Sequence, residues 1–224
     1  MNINSKKQYV VIGLGRFGSS VAKTLYSLGN DVLAVDSDEE RVQNISDSVT
    51  HSVQADASDE NSLRSLGIRN FDVAVITIGS DIQSSVMATL LVKELGVKYI
   101  IAKANNEMHA KVLYKIGADK VVLPERDMGV RIAHNLASAN ILDYIELSPD
   151  YSIAEMTSPE KWHSKTLKEL GMRTNYGINV VAIRKDNHIN VNPKAEDVIS
   201  PGDIVVAIGS YESLTKLEEN LIKI

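Results

Sequence analysis

Tyr9-Val10-Val11-Ile12-Gly13-Leu14-Gly15-Arg16-Phe17-Gly18 decides the fold. A short apolar run enters a G-x-G-x-x-G turn, and Ser19-Ser20-Val21-Ala22-Lys23-Thr24-Leu25 leaves it with helical character. The next apolar run, Val32-Leu33-Ala34-Val35, ends on Asp36. Strand, glycine turn, helix and a spaced acid together are the dinucleotide-binding fingerprint in the context it requires. One glycine allows a tight turn, one lets backbone approach phosphate, and one permits close helix–strand packing. The helix N-terminus offers free N–H groups and partial positive charge to that phosphate.

Outward from this turn, apolar runs alternate with helical patterns as far as about residue 123. The predicted strands are Tyr9–Ile12, Asp31–Val35, His51–Ala55, Asp72–Ile78, Tyr99–Ala102 and Lys120–Leu123, and the predicted helices lie near 16–28, 38–47, 59–66, 82–95 and 106–116. Such a beat builds βαβ units and a parallel sheet. Nearly continuous apolarity in Val73-Ala74-Val75-Ile76 suits strands covered on both faces. Gly29, Gly67, Gly96 and Gly117 mark helix ends. The expected fold is therefore α/β, a Rossmann-like doubly wound sheet of six strands.

Residues 125–142 read as one further helix, with Gly129, Ala133, Ala137, Ser138 and Ala139 forming a small-residue face that would lie on the sheet or cross to a partner subunit. Beyond Tyr144 the texture changes. Short strands are expected at Ile145–Leu147 and Ser152–Met156, a helix at Ser164–Gly171, and a hairpin from Ile178–Ile183 and His188–Val191. A strand at Ile204–Ile208 and a helix at Tyr211–Ile222, with Leu214, Leu217 and Leu221 on one stripe, complete a small α+β domain. The organisation expected is a nucleotide-binding domain over 1–124, a crossover helix and linker over 125–143, and a second domain over 144–224.

Composition narrows the function. With 24 Lys and Arg against 29 Asp and Glu, the net charge is −5, which argues against nucleic acid as a partner. Cysteine is absent, which fits a reducing compartment. Neither a membrane span nor a signal peptide is read in the chain. A cytoplasmic protein is expected, reaching the inner face of a membrane only through a partner.

A dinucleotide fingerprint raises the alternative of an NAD-dependent oxidoreductase or a free-standing NAD(H) redox sensor. Tyr99-x-x-x-Lys103 has the spacing of a proton-relay pair, but that chemistry needs one helical turn. On a strand four residues span roughly 13 Å. The five histidines, His51, His109, His134, His163 and His188, are scattered, and no G-x-S-x-G or P-loop motif occurs. A nucleotide-responsive DNA-binding regulator is opposed by the acidity of the chain. Arg16 lies inside the glycine turn, where a guanidinium adds phosphate recognition of most use to a free terminal phosphate, as in ATP or ADP. Asp36 would accept the ribose hydroxyls and repel a 2′-phosphate, disfavouring NADP.

Gly13-Leu14-Gly15-Arg16-Phe17-Gly18, Val35-Asp36, Asp56-Ala57-Ser58 and the small α+β tail resemble the RCK family, regulators of potassium conductance with TrkA-N and TrkA-C domains. Within it the resemblance is to KtrA/KtrC-type cytosolic subunits of bacterial Ktr potassium uptake systems, and it covers essentially the whole chain. It implies a non-enzymatic gating-ring subunit: homo-dimers assembled into an octamer on a potassium-translocating membrane subunit. ATP and ADP would compete for one site, with NAD(H) as a further ligand.

The positions matching the family's site are Gly13, Gly15, Arg16, Phe17 and Gly18 at the phosphates, Asp36, Ser37 and Asp38 at the ribose, and Asp56 and Ala57 by the adenine. Ile78, Gly79 and Ser80 follow the fourth strand, Lys103, Ala104 and Asn105 the fifth, and His109 and Glu125 complete the pattern. The resemblance further implies that Glu125 helps hold Mg²⁺ or Ca²⁺ between nucleotides of two subunits. It places a cyclic di-AMP site in the second domain at Arg173, Asn179 and Pro193. Ala55 departs from the family, which commonly has glycine there.

Overall fold

The computed structural model describes residues 6–137, 141–148, 150–186 and 188–222, and the chain divides into two compact units, 1–125 and 126–224. The first unit alternates strand and helix throughout: β1 (Gln8–Ile12), α1 (Arg16–Ser27), β2 (Asp31–Asp36), α2 (Glu39–Ile45), β3 (His51–Gln54), α3 (Glu60–Ser65), β4 (Val73–Ile76), α4 (Ile82–Glu94), β5 (Tyr99–Lys103), α5 (Glu107–Lys115) and β6 (Lys120–Val122). All pairings are parallel, in the order β3-β2-β1-β4-β5-β6. This is the expected doubly wound sheet, and its order reverses between β1 and β4. Ligands of such sheets bind outside the carboxyl ends of the strands at that reversal.

Alternation along β1 explains the two covered faces. Val10 and Ile12 join Leu63 of α3, Ala88 and Val92 of α4 and Leu113 of α5 in one buried cluster. Val11, from the opposite face, joins Ala22 of α1 and Val42 and Ile45 of α2 in another. Helix starts are set by side chains: Asp38, Asp59, Asp81 and Asn106 each accept a backbone N–H at an N-cap. The β4 strand is shorter than expected, ending at Ile76 rather than Ile78. Thr77 still donates its N–H to the Ile12 carbonyl at 2.8 Å, and the chain then turns into the rim of the site.

α6 (Pro124–Ala137) opens on a proline at the first helical position, where its missing N–H costs nothing. The helix expected over 125–142 is corrected here. Ile141 already belongs to β7 (Ile141–Ser148), because Ile141, Tyr144 and Ile145 pair with Met156, Ala154 and Ile153 of β8 (Tyr151–Thr157). Antiparallel pairing to a neighbouring strand overrides the local helical pattern. Ser138 and Ala139 of the small-residue face lie outside the described residues.

The second unit continues with α7 (Leu167–Leu170), α8 (Met172–Tyr176), β9 (Asn179–Lys185), β10 (His188–Asn190), β11 (Ile204–Ser210) and α9 (Tyr211–Ile222). Its antiparallel sheet has the order β10-β9-β11-β8-β7. Trp162, Ile178, Ile183, Ile199, Val205, Leu214 and Leu217 fill its core. The helix expected at Ser164–Gly171 is shortened to α7, and α8 follows beyond it. Ser164 has φ +62°, outside the helical region, and Thr166 starts α7 by a reciprocal capping box with Glu169. Gly171, at φ +58°, ends α7 before α8 begins.

Candidate functional site

The turn after β1 is built by close packing. Gly13 has φ +96°, and a Cβ on it would stand 2.9 Å from the Ile78 nitrogen. At Gly18 a Cβ would fall 1.9 Å from the Gly13 carbonyl oxygen and 2.4 Å from Thr77 Oγ1. Gly15 is different: a Cβ there would meet nothing within 4 Å. The chain's own packing does not require a glycine at this position, whereas close approach of a ligand does. Gly15 is also the N-cap of α1, without a side-chain cap and without an acid in the first turn. The helix start thus keeps donors and partial positive charge for an anion. Arg16 is exposed beside it and Phe17 half-buried.

Two side chains that hold this loop were missed in the sequence. Thr77 donates its hydroxyl to the Gly13 carbonyl at 2.5 Å. Arg41, at the start of α2, stands 3.6 Å from the Asp36 carboxylate and 3.4 Å from that of Asp38. A buried hydroxyl at a strand end leaves no mark in a pattern of apolar runs. Arg41 could have been found from the i,i+3 spacing to Asp38.

Asp36, 7% exposed, accepts the Leu14 N–H at 2.5 Å and the Asp38 N–H at 2.9 Å. Its carboxylate therefore pins the glycine turn to the end of β2, and Arg41 stands against the same Oδ2 that the Leu14 amide uses. Ser37 and Asp38 are exposed, and Asp38 caps α2. Asp56 is turned into its own loop, accepting the Ser58 N–H at 2.8 Å and the Ser58 hydroxyl at 2.6 Å, while Ala57 is buried.

Past the reversal, the ends of β4, β5 and β6 converge. Asn105 Nδ2 donates to the Gly79 carbonyl at 2.5 Å, and a Cβ on Gly79 would lie 3.5 Å from Lys103 Nζ. Lys103 Nζ in turn donates to Glu125 Oε1 at 2.5 Å. That hydrogen bond first, with the charges of Lys103 and Arg16 behind it, holds the Glu125 carboxyl below the usual range. Ile78 is half-buried, Ala104 buried and Ser80 exposed on this rim.

His109, 3% exposed on α5, accepts the Asn105 N–H on Nδ1 at 3.4 Å, while its buried Nε2 has no partner. Burial holds the imidazole pKa below its ordinary value, favouring the neutral ring. With Nδ1 accepting, Nε2 carries the proton and is an orphaned donor, the kind of group that calls for a ligand.

Other expectations fare differently. Tyr99 and Lys103 lie on one strand, β5, so they do not form the helical relay pair. Among the described residues no cluster of three or more His, Cys, Asp or Glu could hold a metal ion. Within one chain Glu125 is a single carboxylate already paired with an ammonium, which does not make up a divalent-ion site. Arg173 lies exposed on α8, Asn179 exposed at the start of β9, and Pro193 half-buried beyond β10. A cavity of about 520 Å³ in the second unit is lined by Arg184, Asp186, Ile189, Gly202 and Ile204, and so by none of these three. No helix among the described residues is long and apolar enough to cross a membrane.

Comparison with known proteins also divides the chain into two parts. Residues 9–124 match the model of the TrkA-N domain and residues 152–222 that of the TrkA-C domain. The chain is 46% identical to Ktr system potassium uptake protein C of Bacillus subtilis (strain 168), over 97% of its own length and 98% of the relative's. Identity is also 46% to Ktr system potassium uptake protein A of the same organism, over 95% and 96% of the two chains. A solved structure, the GsuK channel bound to NAD, matches all of this chain with a TM-score of 0.69 at 18% identity. The match spans 41% of the channel's chain and bears on the fold alone.

Proposed function

The chain belongs to the family built of TrkA-N and TrkA-C domains, and from that premise we propose that it is a nucleotide-binding regulatory subunit of a potassium uptake system. One observation carries the nucleotide reading: the cradle left open at Gly15 faces the uncapped start of α1. The cations of Lys103 and Arg16 would attract a phosphate at the same sheet edge, and the orphaned Nε2 of His109, enclosed as it stands, would join them only once a ligand opens its position. In this reading Gly15, Arg16, Phe17 and Gly18 hold phosphate, Asp36 with Ser37 and Asp38 orients the ribose, and Asp56 and Ala57 border the adenine. Ile78, Gly79, Ser80, Ala104 and Asn105 form the opposite rim.

ATP and ADP are the ligands proposed first, since Arg16 is best used by a terminal phosphate, and NAD(H) is a further one. A cation would have to draw ligands from phosphate oxygens and a second subunit besides Glu125. The family relationship supports the partners: homo-dimers in an octameric ring against a potassium-translocating membrane subunit, which would place the chain in the cytoplasm at the membrane's inner face. The crossover read over 125–143 would be α6, since Ile141 onward belongs to β7. Cyclic di-AMP at Arg173, Asn179 and Pro193 belongs to the proposal on the same footing. No catalysis is assigned, because Tyr99 and Lys103 share a strand.

Thermal-shift titration with ATP, ADP, NADH, NADPH and cyclic di-AMP tests the ligand choice, since a selective ligand stabilises by mass action. ATP or ADP is expected to raise the midpoint and NADPH not to. Stabilisation by NADPH with none from ATP or ADP overturns the reading.

A further inference from the structure

Arg184 lies on the outward face of the second unit's sheet. Directly opposite residues on neighbouring strands send their side chains to the same face. Arg184 is opposite Ile189 of β10 on one side and Ile204 of β11 on the other. The adjoining residues Ile183 and Val205 are buried in the core, so this row of three looks away from it. With Asp186 and Gly202 the row lines the cavity of about 520 Å³, a volume typical of ligand sites. Gly202 has φ +82°, and a Cβ on it would meet nothing within 4 Å. The turn thus favours a residue that leaves the cavity's mouth clear.

The charges here are set apart. Arg184 reaches Glu155 with Nη2 at 3.9 Å, and Asp186 has no side-chain partner among the described residues. Lys185 does not neutralise Asp186, since it pairs with buried Asp203 at 3.3 Å and donates to the Val198 carbonyl at 2.9 Å. A base and an acid therefore line one cavity without meeting, over two isoleucines of which Ile189 is 53% exposed.

We propose that this cavity binds a short zwitterionic peptide of about dipeptide size with apolar side chains. Its carboxylate meets Arg184, its ammonium meets Asp186, and its side chains cover Ile189 and Ile204. Two extended residues span roughly 7 Å, enough to bridge charges too far apart to pair with each other. A guanidinium can grip a carboxylate by two parallel hydrogen bonds, which fixes the direction of the ligand. The site is separate from the positions considered for cyclic di-AMP: Arg184 is five residues along β9 from Asn179, roughly 17 Å. It stands independently of the nucleotide reading.

The test uses the full chain labelled at the isoleucine δ1 methyls and titrated with leucyl-leucine, read by methyl NMR. Saturable shifts at Ile189 and Ile204 are expected. N-acetyl-leucyl-leucine and leucyl-leucine amide, each lacking one charge, are expected to bind about fivefold more weakly, the size of one partly exposed charge pair. Arg184→Gln and Asp186→Asn are expected to weaken leucyl-leucine by the same factor; asparagine tolerates the φ of +49° at residue 186, so the turn is kept. Leucyl-leucine amide, already without a carboxylate, is expected to bind wild type and Arg184→Gln alike. Absence of shifts at both methyls, or undiminished binding by either variant, overturns the proposal. Equal binding of the doubly capped N-acetyl-leucyl-leucine amide also overturns it, and would assign the cavity to an internal segment of a protein chain.

Discussion

Gly15 and Gly18 sit three residues apart in one motif and answer to different neighbours. Gly18 is demanded by the protein itself, since a methyl group would overlap the Gly13 carbonyl. Gly18→Ala is therefore expected to destabilise the first unit by roughly 1–3 kcal/mol, the cost of overpacking. Urea unfolding measures this, and a midpoint equal to wild type would refute the packing role. His109 makes the opposite kind of demand, having one nitrogen satisfied and one not. His109→Leu keeps the volume and removes the donor, so nucleotide affinity is expected to fall on the order of tenfold, one hydrogen bond to a charged group. Unchanged affinity would mean that Nε2 does not face the ligand. Arg16→Ala, read by calorimetry, is expected to weaken ATP more than NADH; the reverse order would refute the terminal-phosphate role.

Elements of the first unit were legible because each strand is a short apolar run between glycine or Asx punctuation. Its ends are where reading and structure part, by one or two residues, as at Ile76 against Ile78. The second unit was harder. Its α7 has four residues, too few for any periodicity, and is set by the Thr166–Glu169 box and Gly171 rather than by a stripe. The C-terminal end of α6 was misread because Ile141-Leu142-Asp143-Tyr144 follows Ala137 closely enough to extend a helical pattern, and only the partner strand β8 decides against it.

Asp143 shows what β7 does instead. It receives both Nε and Nη2 of Arg131, the former at 2.7 Å, and so fastens α6 to β7 within the second unit. The Arg131 hydrogen bonds come first among the causes that lower the Asp143 pKa from 3.8 to about 2. Protons then bind the unfolded carboxylate more readily than the folded one. The stability this pair adds is present above about pH 4 and is lost as pH falls through about 2. Thermal midpoints across that window are expected to drop more in wild type than in Asp143→Asn. Parallel curves for the two proteins would remove Asp143 from the account.

At the scale of the whole molecule, sequence pointed to the strand ends at which a ligand is proposed to sit but not to how the side chains there pair their charges. The reversal between β1 and β4 follows from strand order, which G-x-G-x-x-G and the βαβ beat imply. That Asp36 is spent largely on the Leu14 and Asp38 amides, or that Lys103 is held by Glu125, depends on side-chain directions at strand ends, which spacing along the chain does not encode. Assembly is equally a matter for measurement on the full chain. Light scattering is expected to give a mass several times 24.5 kDa, near that of an octamer with nucleotide bound, and a ligand-independent monomer would contradict the ring.

The central claim is that the glycine turn is a phosphate cradle kept open for a nucleotide. Calorimetric titration of ATP into wild type and Gly15→Ala tests it most directly, because a methyl at Gly15 meets nothing in the protein and φ there is an ordinary −66°. The expected result is saturable binding to wild type and at least tenfold weaker binding to Gly15→Ala, with closely similar thermal midpoints of the two free proteins. Equal ATP binding by both, or none by the wild type, would contradict the account.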